Sequence, residues 1–269
     1  MDLSDVNGRG LVLLGCGKMG SALLQGWLAQ GVSPTSVYVI DPAPSDWLQA
    51  QGVHINSDLP VAPAIVLIAV KPQMMGEALP QLQSFGAETA YVSIAAGTSI
   101  AAFEEAFGSE AAIIRSMPNT PAAVGRGITA IVGNARATAA QMDLAEALLS
   151  AVGQVVRLDD EDQIDAVTGV SGSGPAYVFH LIETLAAAGE AEGLAPDLAM
   201  QLAKATVAGA GHLAMEAEES PTQLRVNVTS PNGTTQAALE VLMHEKTGFP
   251  PLLKRAVKAA TERGRELKG

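Results

Sequence analysis

A six-residue glycine loop near the N-terminus constrains the fold more than any other feature of the sequence. The loop reads Gly15-Cys16-Gly17-Lys18-Met19-Gly20. It directly follows the apolar run 11–14 and opens a segment of helical spacing over 19–29. A G-x-G-x-x-G pattern between a strand and a helix is typical of a parallel sheet that binds a dinucleotide at the carboxyl ends of its strands.

The rest of the chain has two kinds of spacing, one after the other. Seven short apolar runs read as buried strands, over 11–14, 37–40, 65–70, 91–95, 113–117, 128–132 and 155–158. Helical stretches over 19–29, 100–106 and 138–151 separate several of them, which predicts a mostly parallel sheet covered on both faces. Only helices are predicted afterwards, over 175–192, 196–217, 235–243 and 251–267. We therefore predict an α/β chain, with a Rossmann-type dinucleotide-binding domain over 1–160 and an all-helical dimerisation and substrate-binding domain over 161–269.

Each glycine of the loop has a separate physical reason in this interpretation. Gly15 allows the tight turn, Gly17 lets the backbone approach a pyrophosphate, and Gly20 lets the helix pack closely. The helix start adds amides and partial positive charge for the phosphates. Loop residues 15–19, with Cys16, Lys18 and Met19 among them, are therefore predicted to bind the cofactor. A purely structural glycine turn is the alternative, and Cys16 is expected to fill the turn rather than to react.

Three later strand ends carry related signals. Asp41 ends the second strand roughly 20 residues after the glycines, where an acid commonly binds the adenosine ribose and repels a 2′-phosphate. This favours NADH over NADPH, although Pro42 and Pro44 could turn the Asp41 side chain away. The other two strand ends predicted to face the cofactor are Ala69-Val70-Lys71-Pro72 and Ala95-Ala96-Gly97.

The absence of histidine and metal-ligand patterns restricts the reactions that the chain is expected to catalyse. Its four histidines are scattered, and no His or Cys pattern has metal-ligand spacing, so we expect no metal and no histidine catalyst. A carbonyl reduction needs a positioned acid, whereas an iminium accepts hydride without one. The pattern therefore favours reduction of an imine.

A break in the helical half predicts a second part of the site. It reads Ser230-Pro231-Asn232-Gly233-Thr234-Thr235. Asn and Gly tolerate positive φ, so the chain can bend sharply there. The amides of Gly233, Thr234 and Thr235 at a helix start suit a carboxylate, and the hydroxyls of Ser230 and Thr235 add hydrogen bonds. A plain helix N-cap is the alternative.

Five segments together resemble the pyrroline-5-carboxylate reductase family over almost the whole chain. They are Ala69-Val70-Lys71-Pro72, Ser93-Ile94-Ala95-Ala96-Gly97, Arg115-Ser116-Met117-Pro118-Asn119-Thr120-Pro121, Ser171-Gly172-Ser173-Gly174-Pro175-Ala176-Tyr177 and 229–235. The resemblance implies NAD(P)H-dependent reduction of a cyclic imine to L-proline, the last step of proline synthesis. It also implies a helical domain that interlocks with a partner subunit, in dimers or rings of dimers.

The resemblance assigns substrate roles to five residues. It implies that the Thr235 hydroxyl is the catalytic group that hydrogen-bonds the ring nitrogen. Ser230, Gly233 and Thr234 would hold the substrate carboxylate. Glu161 matches an acid near the amine.

The resemblance also assigns two cofactor contacts, and the chain departs from the family at two positions. Asn227 matches a residue that reaches the nicotinamide end from the partner subunit, and Asn56 one near the adenosine end. Many relatives have Gly where this chain has Asn232, which we expect to tolerate the same left-handed turn. Many relatives also have hydroxyl or basic residues, which suit a 2′-phosphate, where this chain has Asp41. The family's usual preference for NADPH is therefore not expected to carry over directly to this chain.

Composition limits the expected binding partners and the expected cellular compartment. The net charge is −12, and we find no basic cluster before the last twenty residues, so nucleic acid and membrane surfaces are not expected partners. One cysteine and a polar, acidic start favour the reducing cytoplasm. The broad apolar surface predicted for the helical half favours self-association.

Two other functions remain open from the sequence. A β-hydroxy acid dehydrogenase would need a catalytic lysine on an interdomain helix, for which Lys204 is the nearest candidate. A dinucleotide-binding regulatory protein without turnover would need the glycine loop but not the turn at 229–235.

Overall fold

A computed structural model of the chain describes residues 4–82 and 85–267. The chain forms two compact units. The first contains Met1–Gly172 and Ala260–Gly269, and the second contains Ser173–Ala259.

The first unit is built on one sheet. Strands β1 to β8 run, in chain order, over Leu11–Leu14, Val37–Ile40, His54–Ile55, Ile65–Ile68, Ala90–Ser93, Ala112–Met117, Gly127–Gly133 and Gly153–Arg157. Helices α1 to α7 run over Ser4–Arg9, Lys18–Ala29, Asp46–Gln49, Met75–Ala78, Ile100–Phe107, Ala139–Leu149 and Gln163–Val167.

The strand order creates a switch point between β1 and β4, where a ligand cleft is expected. The order is β3-β2-β1-β4-β5-β6-β7-β8, and every neighbouring pair is parallel except β6 with β7. The chain moves from β1 to β2 and β3 on one side and returns to β4 on the other. Dinucleotides bind at such a switch point, over the carboxyl ends of the strands.

Both faces of the sheet are covered, as the sequence predicted. One core includes Leu11 and Leu13 of β1 with Leu24 and Trp27 of α2 and Leu149 of α6. The other core takes the alternate strand residues, such as Val12 and Ile113, with Phe103 of α5 and Ile164 of α7. This alternation follows from the two-residue period of strand side chains.

The second unit is helical. Helices α8 to α12 run over Gly174–Ala191, Pro196–Glu216, Pro221–Asn227, Thr234–Leu242 and Phe249–Leu267, and the last of them ends in the first unit. Ala186 of α8 packs with Ala199 and Ala203 of α9 in a small buried cluster. Several large apolar side chains of this unit are exposed, among them Phe179, Leu202, Leu213 and Val241. No helix of the described residues is long and apolar enough to cross a membrane.

The predicted elements are present, with small shifts at their ends. All seven predicted strands and all seven predicted helices are found, and the α/β arrangement is confirmed. Strand β3 was missed because two residues are too few to show a period. The short helices α1, α3, α4 and α7 were missed too. So was α10, although Ser220 caps it and Pro221 opens it, a recognisable start signal.

Candidate functional site

The glycine loop has the geometry that its sequence predicts. Gly15 has φ +89°, and a Cβ there would lie 2.8 Å from Val70 Cγ1. A Cβ on Gly20 would lie 2.4 Å from the Gly15 carbonyl oxygen, so any larger residue would break the turn. By contrast, a Cβ on Gly17 would meet nothing within 4 Å. Gly17 is the N-cap of α2 without any side-chain cap, which leaves open space and amides at the helix start for a phosphate group.

Asp41 is turned towards this loop. Its Oδ2 accepts a hydrogen bond from the Cys16 amide at 2.7 Å, and its Oδ1 accepts one from the Ala43 amide at 2.8 Å. Pro42 therefore does not turn the carboxylate away from the strand ends. A carboxylate accepts up to about four hydrogen bonds, so Asp41 retains acceptor capacity for ribose hydroxyls.

Asn56 lies beside Asp41 in an unusual backbone conformation. Its φ is +50°, in the left-handed region, and its amide N–H donates to the Val39 carbonyl at 2.9 Å. Its side chain accepts from the Asp41 amide at 2.9 Å and donates to the Asp41 carbonyl at 2.8 Å. Asn56 thus extends the pairing of β2 with β3 by one residue and fixes the position of Asp41.

Asn56 and the two chain neighbours of Asp41, Ile40 and Pro42, line a cleft of about 540 Å³ at the carboxyl ends of β1, β2 and β4. Its walls are mostly apolar and include Leu14, Ile40, Leu59, Val70 and Ala78. Its lining also contains Asn56, Ser57, Glu77 and Gln81, and none of its lining residues is Lys or Arg. An apolar cleft with a few polar groups suits an adenosine moiety.

Burial changes the chemistry of Cys16. Burial first and the Asp41 charge second raise the pKa of the Cys16 thiol to about 11. The group is therefore a neutral thiol at physiological pH, not a reactive thiolate. This agrees with a side chain that fills the turn.

The other predicted cofactor residues lie at the ends of β4 and β5. Ala69 and Val70 contact the glycine loop, because a Cβ on Gly15 would meet both of them. Lys71 is exposed at the start of the 3₁₀ turn Pro72–Met74. Ala95 is buried, and Gly97 has φ +79°, with the Leu267 carbonyl oxygen 3.3 Å from where a Cβ would stand. The glycine therefore allows the end of α12 to approach the β5 end closely.

In the second unit, the turn before α11 has the predicted bend. Asn232 has φ +58°, which confirms that it adopts the left-handed conformation. Pro231 precedes it, and the Gly233 amide donates to the Ser230 carbonyl at 3.0 Å. Pro at the second position and positive φ at the third are typical of a type II turn.

One detail of the predicted carboxylate site was wrong. The Gly233 amide is not free, since it closes the turn. Gly233 is the N-cap of α11, and no side chain caps the helix. The amides without an intrahelical partner therefore belong to Thr234, Thr235 and Gln236. We find no hydrogen-bond partner among the described residues for the hydroxyls of Ser230, Thr234 and Thr235.

The Gln236 side chain completes this turn and was not anticipated from the sequence. Its Oε1 accepts from the Asn232 amide at 2.8 Å, and its Nε2 donates to Glu240 Oε1 at 3.2 Å. In a capping box, Ser or Thr at the N-cap would occupy the helix amides, but here the N-cap is a glycine. A glutamine three residues after a glycine N-cap is the signal that could have predicted it.

Glu161 is held inside the first unit. Its Oε1 accepts from Arg115 Nη1 at 2.6 Å and from the Ile100 amide at 2.9 Å. Arg115 is buried in β6, and the sequence predicted no role for it beyond its place in a family motif. A charged residue within the apolar strand was the signal for this partner.

The remaining candidates are exposed. Asn227 ends α10 and accepts a hydrogen bond from Gln223 at 2.7 Å. Lys204 is exposed on α9. His180 is exposed on α8, where it pairs with Glu183. Among the described residues, no group of three or more His, Cys, Asp or Glu side chains could hold a metal ion.

Comparison with known proteins covers nearly the whole chain. Residues 161–267 match the pyrroline-5-carboxylate reductase dimerisation family, and residues 11–97 match the NADP oxidoreductase, coenzyme F420-dependent, family. A pyrroline-5-carboxylate reductase of Pseudomonas aeruginosa is 40% identical over 96% of both chains.

Two solved structures extend the likeness to the fold. A pyrroline-5-carboxylate reductase of Coxiella burnetii has a TM-score of 0.90 and 34% identity, covering 97% of this chain and 99% of its own. A pyrroline carboxylate reductase of Plasmodium falciparum with NADP bound has a TM-score of 0.83 and 28% identity, over 98% of this chain and 99% of its own.

Proposed function

The chain belongs to the pyrroline-5-carboxylate reductase family, and on this basis we propose which of its residues carry out the reaction. It is an oxidoreductase that reduces the cyclic imine 1-pyrroline-5-carboxylate to L-proline. A reduced nicotinamide supplies the hydride that the imine carbon accepts. The residues of this chain bind and orient both molecules.

We propose that the turn before α11 holds the imine. The observation that carries this assignment is the uncapped start of α11, where the amides of Thr234 and Thr235 have no side-chain partner among the residues that the structure describes. Amides and partial positive charge at a helix start bind a carboxylate without an arginine. Ser230 adds a hydroxyl, and Gly233 contributes by shaping the turn rather than by donating its amide.

Thr235 is the proposed catalytic residue. It is partly buried at the second position of α11, while Thr234 is exposed. Its hydroxyl would hydrogen-bond the ring nitrogen and so orient the iminium, whose carbon then accepts the hydride. A place for Glu161 near the amine is proposed from the family resemblance alone. Only its Oε2 is available for this, because Oε1 is held by Arg115 and Ile100.

Thr235→Ala tests this role. Loss of one positioned hydrogen-bond donor commonly lowers turnover about a hundredfold, so kcat should fall by roughly that factor. The dissociation constant of NADH should stay unchanged, and Thr235→Ser should recover most of the activity. A Thr235→Ala variant with full kcat would remove Thr235 from the mechanism.

We propose NADH as the preferred cofactor, held by residues of the glycine loop and of the strand ends. The nicotinamide cofactor itself is supported by the NADP oxidoreductase match and by the NADP-bound relative. The preference rests on the cleft. Ile40 and Pro42, which flank Asp41, are in its lining together with Glu77, and its lining has no Lys or Arg for a 2′-phosphate. Asn56 supports this site through Asp41, and Asn227 is proposed for the nicotinamide end by family resemblance.

The chain self-associates, as the match to a dimerisation domain indicates. We propose that the exposed apolar side chains of α8, α9 and α11 are covered in a dimer, and that dimers assemble into a ring. Gel filtration should give a mass of at least two chains, and a monomer mass would contradict this.

We propose a domain boundary near residue 160 and a cytoplasmic location. The dimerisation match begins at residue 161, which supports this boundary, while the compact units divide after Gly172. The location rests on the single cysteine, which cannot form a disulfide within one chain.

A further inference from the structure

A charged side chain lies inside an apolar strand of the first unit. Strand β6 reads Ala112-Ile113-Ile114-Arg115-Ser116-Met117. Arg115 is only 2% exposed, and it alternates with Ile114, so it shares the face of Ile113. A buried cation is costly unless it is paired and hydrogen-bonded. This position therefore needs a reason beyond stability.

The partner of Arg115 links three separate elements. Glu161 Oε1 accepts from Arg115 Nη1 and from the Ile100 amide, which begins α5. Arg115 Nε is buried without a hydrogen-bond partner among the described residues. An apolar residue of similar size would avoid both the buried charge and this unpaired donor, and such replacements are often neutral or stabilising.

The linked residues border the loop between β5 and α5. Ser93 Oγ accepts from the Ala95 amide at 3.2 Å at the start of the loop. The Ile100 amide bond to Glu161 fixes its end, and Gly97 with φ +79° lies between. Strand β5 lies beyond β4, on the side away from the adenosine cleft. If the glycine loop binds the pyrophosphate, the nicotinamide half extends to this side.

We propose that Arg115 is a positioning residue for the nicotinamide end of the cofactor. Its guanidinium fixes the Glu161 carboxylate, and that carboxylate fixes the first amide of α5 and with it the loop 95–99. The proposal rests on the proposed function, because it takes Ala95 and Gly97 as cofactor contacts. Misplacement of a bound reactant by about 1 Å can lower turnover a hundredfold, so a loosened loop reduces kcat more than affinity.

Arg115→Met is the first test, with Arg136→Met as its control. Arg136 pairs with Glu110, but both side chains are more than half exposed. In Arg115→Met the Glu161 side chain, 26% exposed, retains the Ile100 amide and access to water, so no buried charge is left unpaired. We expect kcat with the imine to fall about tenfold, and the dissociation constant of NADH to change less than about twofold. Arg136→Met should match the wild type.

Ile100→Pro tests the link to the loop. It removes the N–H that donates to Glu161 at the first position of α5, where proline is tolerated. Ser99 already has φ −81° and ψ 161°, the conformation preferred before proline. Ile100→Val keeps the amide and controls for lost side-chain volume. We expect a roughly tenfold lower kcat for the proline variant only.

Hydrogen exchange of the amides over 96–99 separates this proposal from the reaction itself. Both Arg115→Met and Ile100→Pro should increase exchange there, measured without and with NADH. Exchange and kcat equal to the wild type in Arg115→Met would overturn the proposal, as would identical behaviour of Ile100→Pro and Ile100→Val. If Arg115→Met fails to fold, the Ile100 pair decides. A wild type that never oxidises NADH with the imine would refute the proposed function, while the exchange result would still test the anchoring.

Discussion

The left-handed residue of the α11 turn offers the sharpest test of the imine site. Asn232 has φ +58°, and within the part of the chain that the structure describes only its backbone amide is engaged, with Gln236 Oε1. Replacing it by Ala keeps that amide and changes chiefly the preference for positive φ. Replacing it by Gly also keeps the amide and restores full tolerance of this conformation.

The size of the effect follows from the backbone. Left-handed conformation costs an ordinary L-residue about 1–2 kcal/mol, and Asn less than most. If Asn232→Ala adds about 1 kcal/mol, the equilibrium constant between the competent turn and other conformations falls about fivefold, because 1.4 kcal/mol is about tenfold. The apparent KM for the imine then rises by up to the same factor, since only the competent state binds. Asn232→Val, with a β-branched side chain, should have a larger effect of at least tenfold.

The assay is steady-state oxidation of NADH with the imine varied, then with NADH varied. We expect the KM for the imine to rise in the order Gly, Ala, Val, with Asn232→Gly close to the wild type. The KM for NADH should stay constant throughout the series. Equal KM values for the imine in all four proteins, or parallel changes in both KM values, would refute a carboxylate site built on this turn.

Two further predictions concern the glycine loop. Asp41→Ser should raise the ratio of kcat/KM for NADPH to kcat/KM for NADH roughly tenfold, because a like charge near the 2′-phosphate is removed. The KM values for both cofactors should also rise, since the Cys16 and Ala43 amides lose their acceptor. For Cys16, the folded chain holds the thiol proton up to a pKa of about 11, against 9.0 for an ordinary cysteine. The stabilisation that comes from retaining this proton is complete below pH 9.0 and is lost as the pH rises through about 11. Above pH 9, Tm should therefore fall more steeply in the wild type than in Cys16→Ala.

Each of these has a control and a contrary result. Asp58→Ser removes an exposed acid that is not in the cleft lining, and it should leave the cofactor ratio unchanged. An unchanged ratio in Asp41→Ser would mean that Asp41 does not face the ribose. Identical Tm profiles of the wild type and Cys16→Ala above pH 9 would contradict a buried, neutral thiol.

The features that the sequence predicted well are local ones. The glycine loop follows from three glycines: Gly15 is required by its positive φ and Gly20 by its close contact with Gly15, while Gly17 leaves open space at the helix start. The bend at Asn232 follows from Pro231 and Asn232 themselves, because a type II turn is decided by its two central residues. The order of strands and helices follows from their hydrophobic periods.

Two of the features that were missed or misjudged depend on distant residues. The direction of the Asp41 carboxylate is set by the Cys16 amide, 25 residues earlier, while the Asp41 backbone is held by the Asn56 side chain, 15 residues later. The engagement of Glu161 by Arg115 joins residues 46 positions apart. The Gly233 amide was misassigned because closing the turn and offering amides to a ligand look alike in the sequence. Only the hydrogen bond to Ser230 separates the two.

The most direct test of the account is the initial rate of reduced-nicotinamide oxidation by the wild-type protein with 1-pyrroline-5-carboxylate. It is run in parallel with NADH and NADPH, and product is identified as L-proline. The account predicts rapid oxidation that requires the imine, with a higher kcat/KM for NADH than for NADPH. Absence of oxidation with both cofactors, in folded protein that binds NADH, would contradict it.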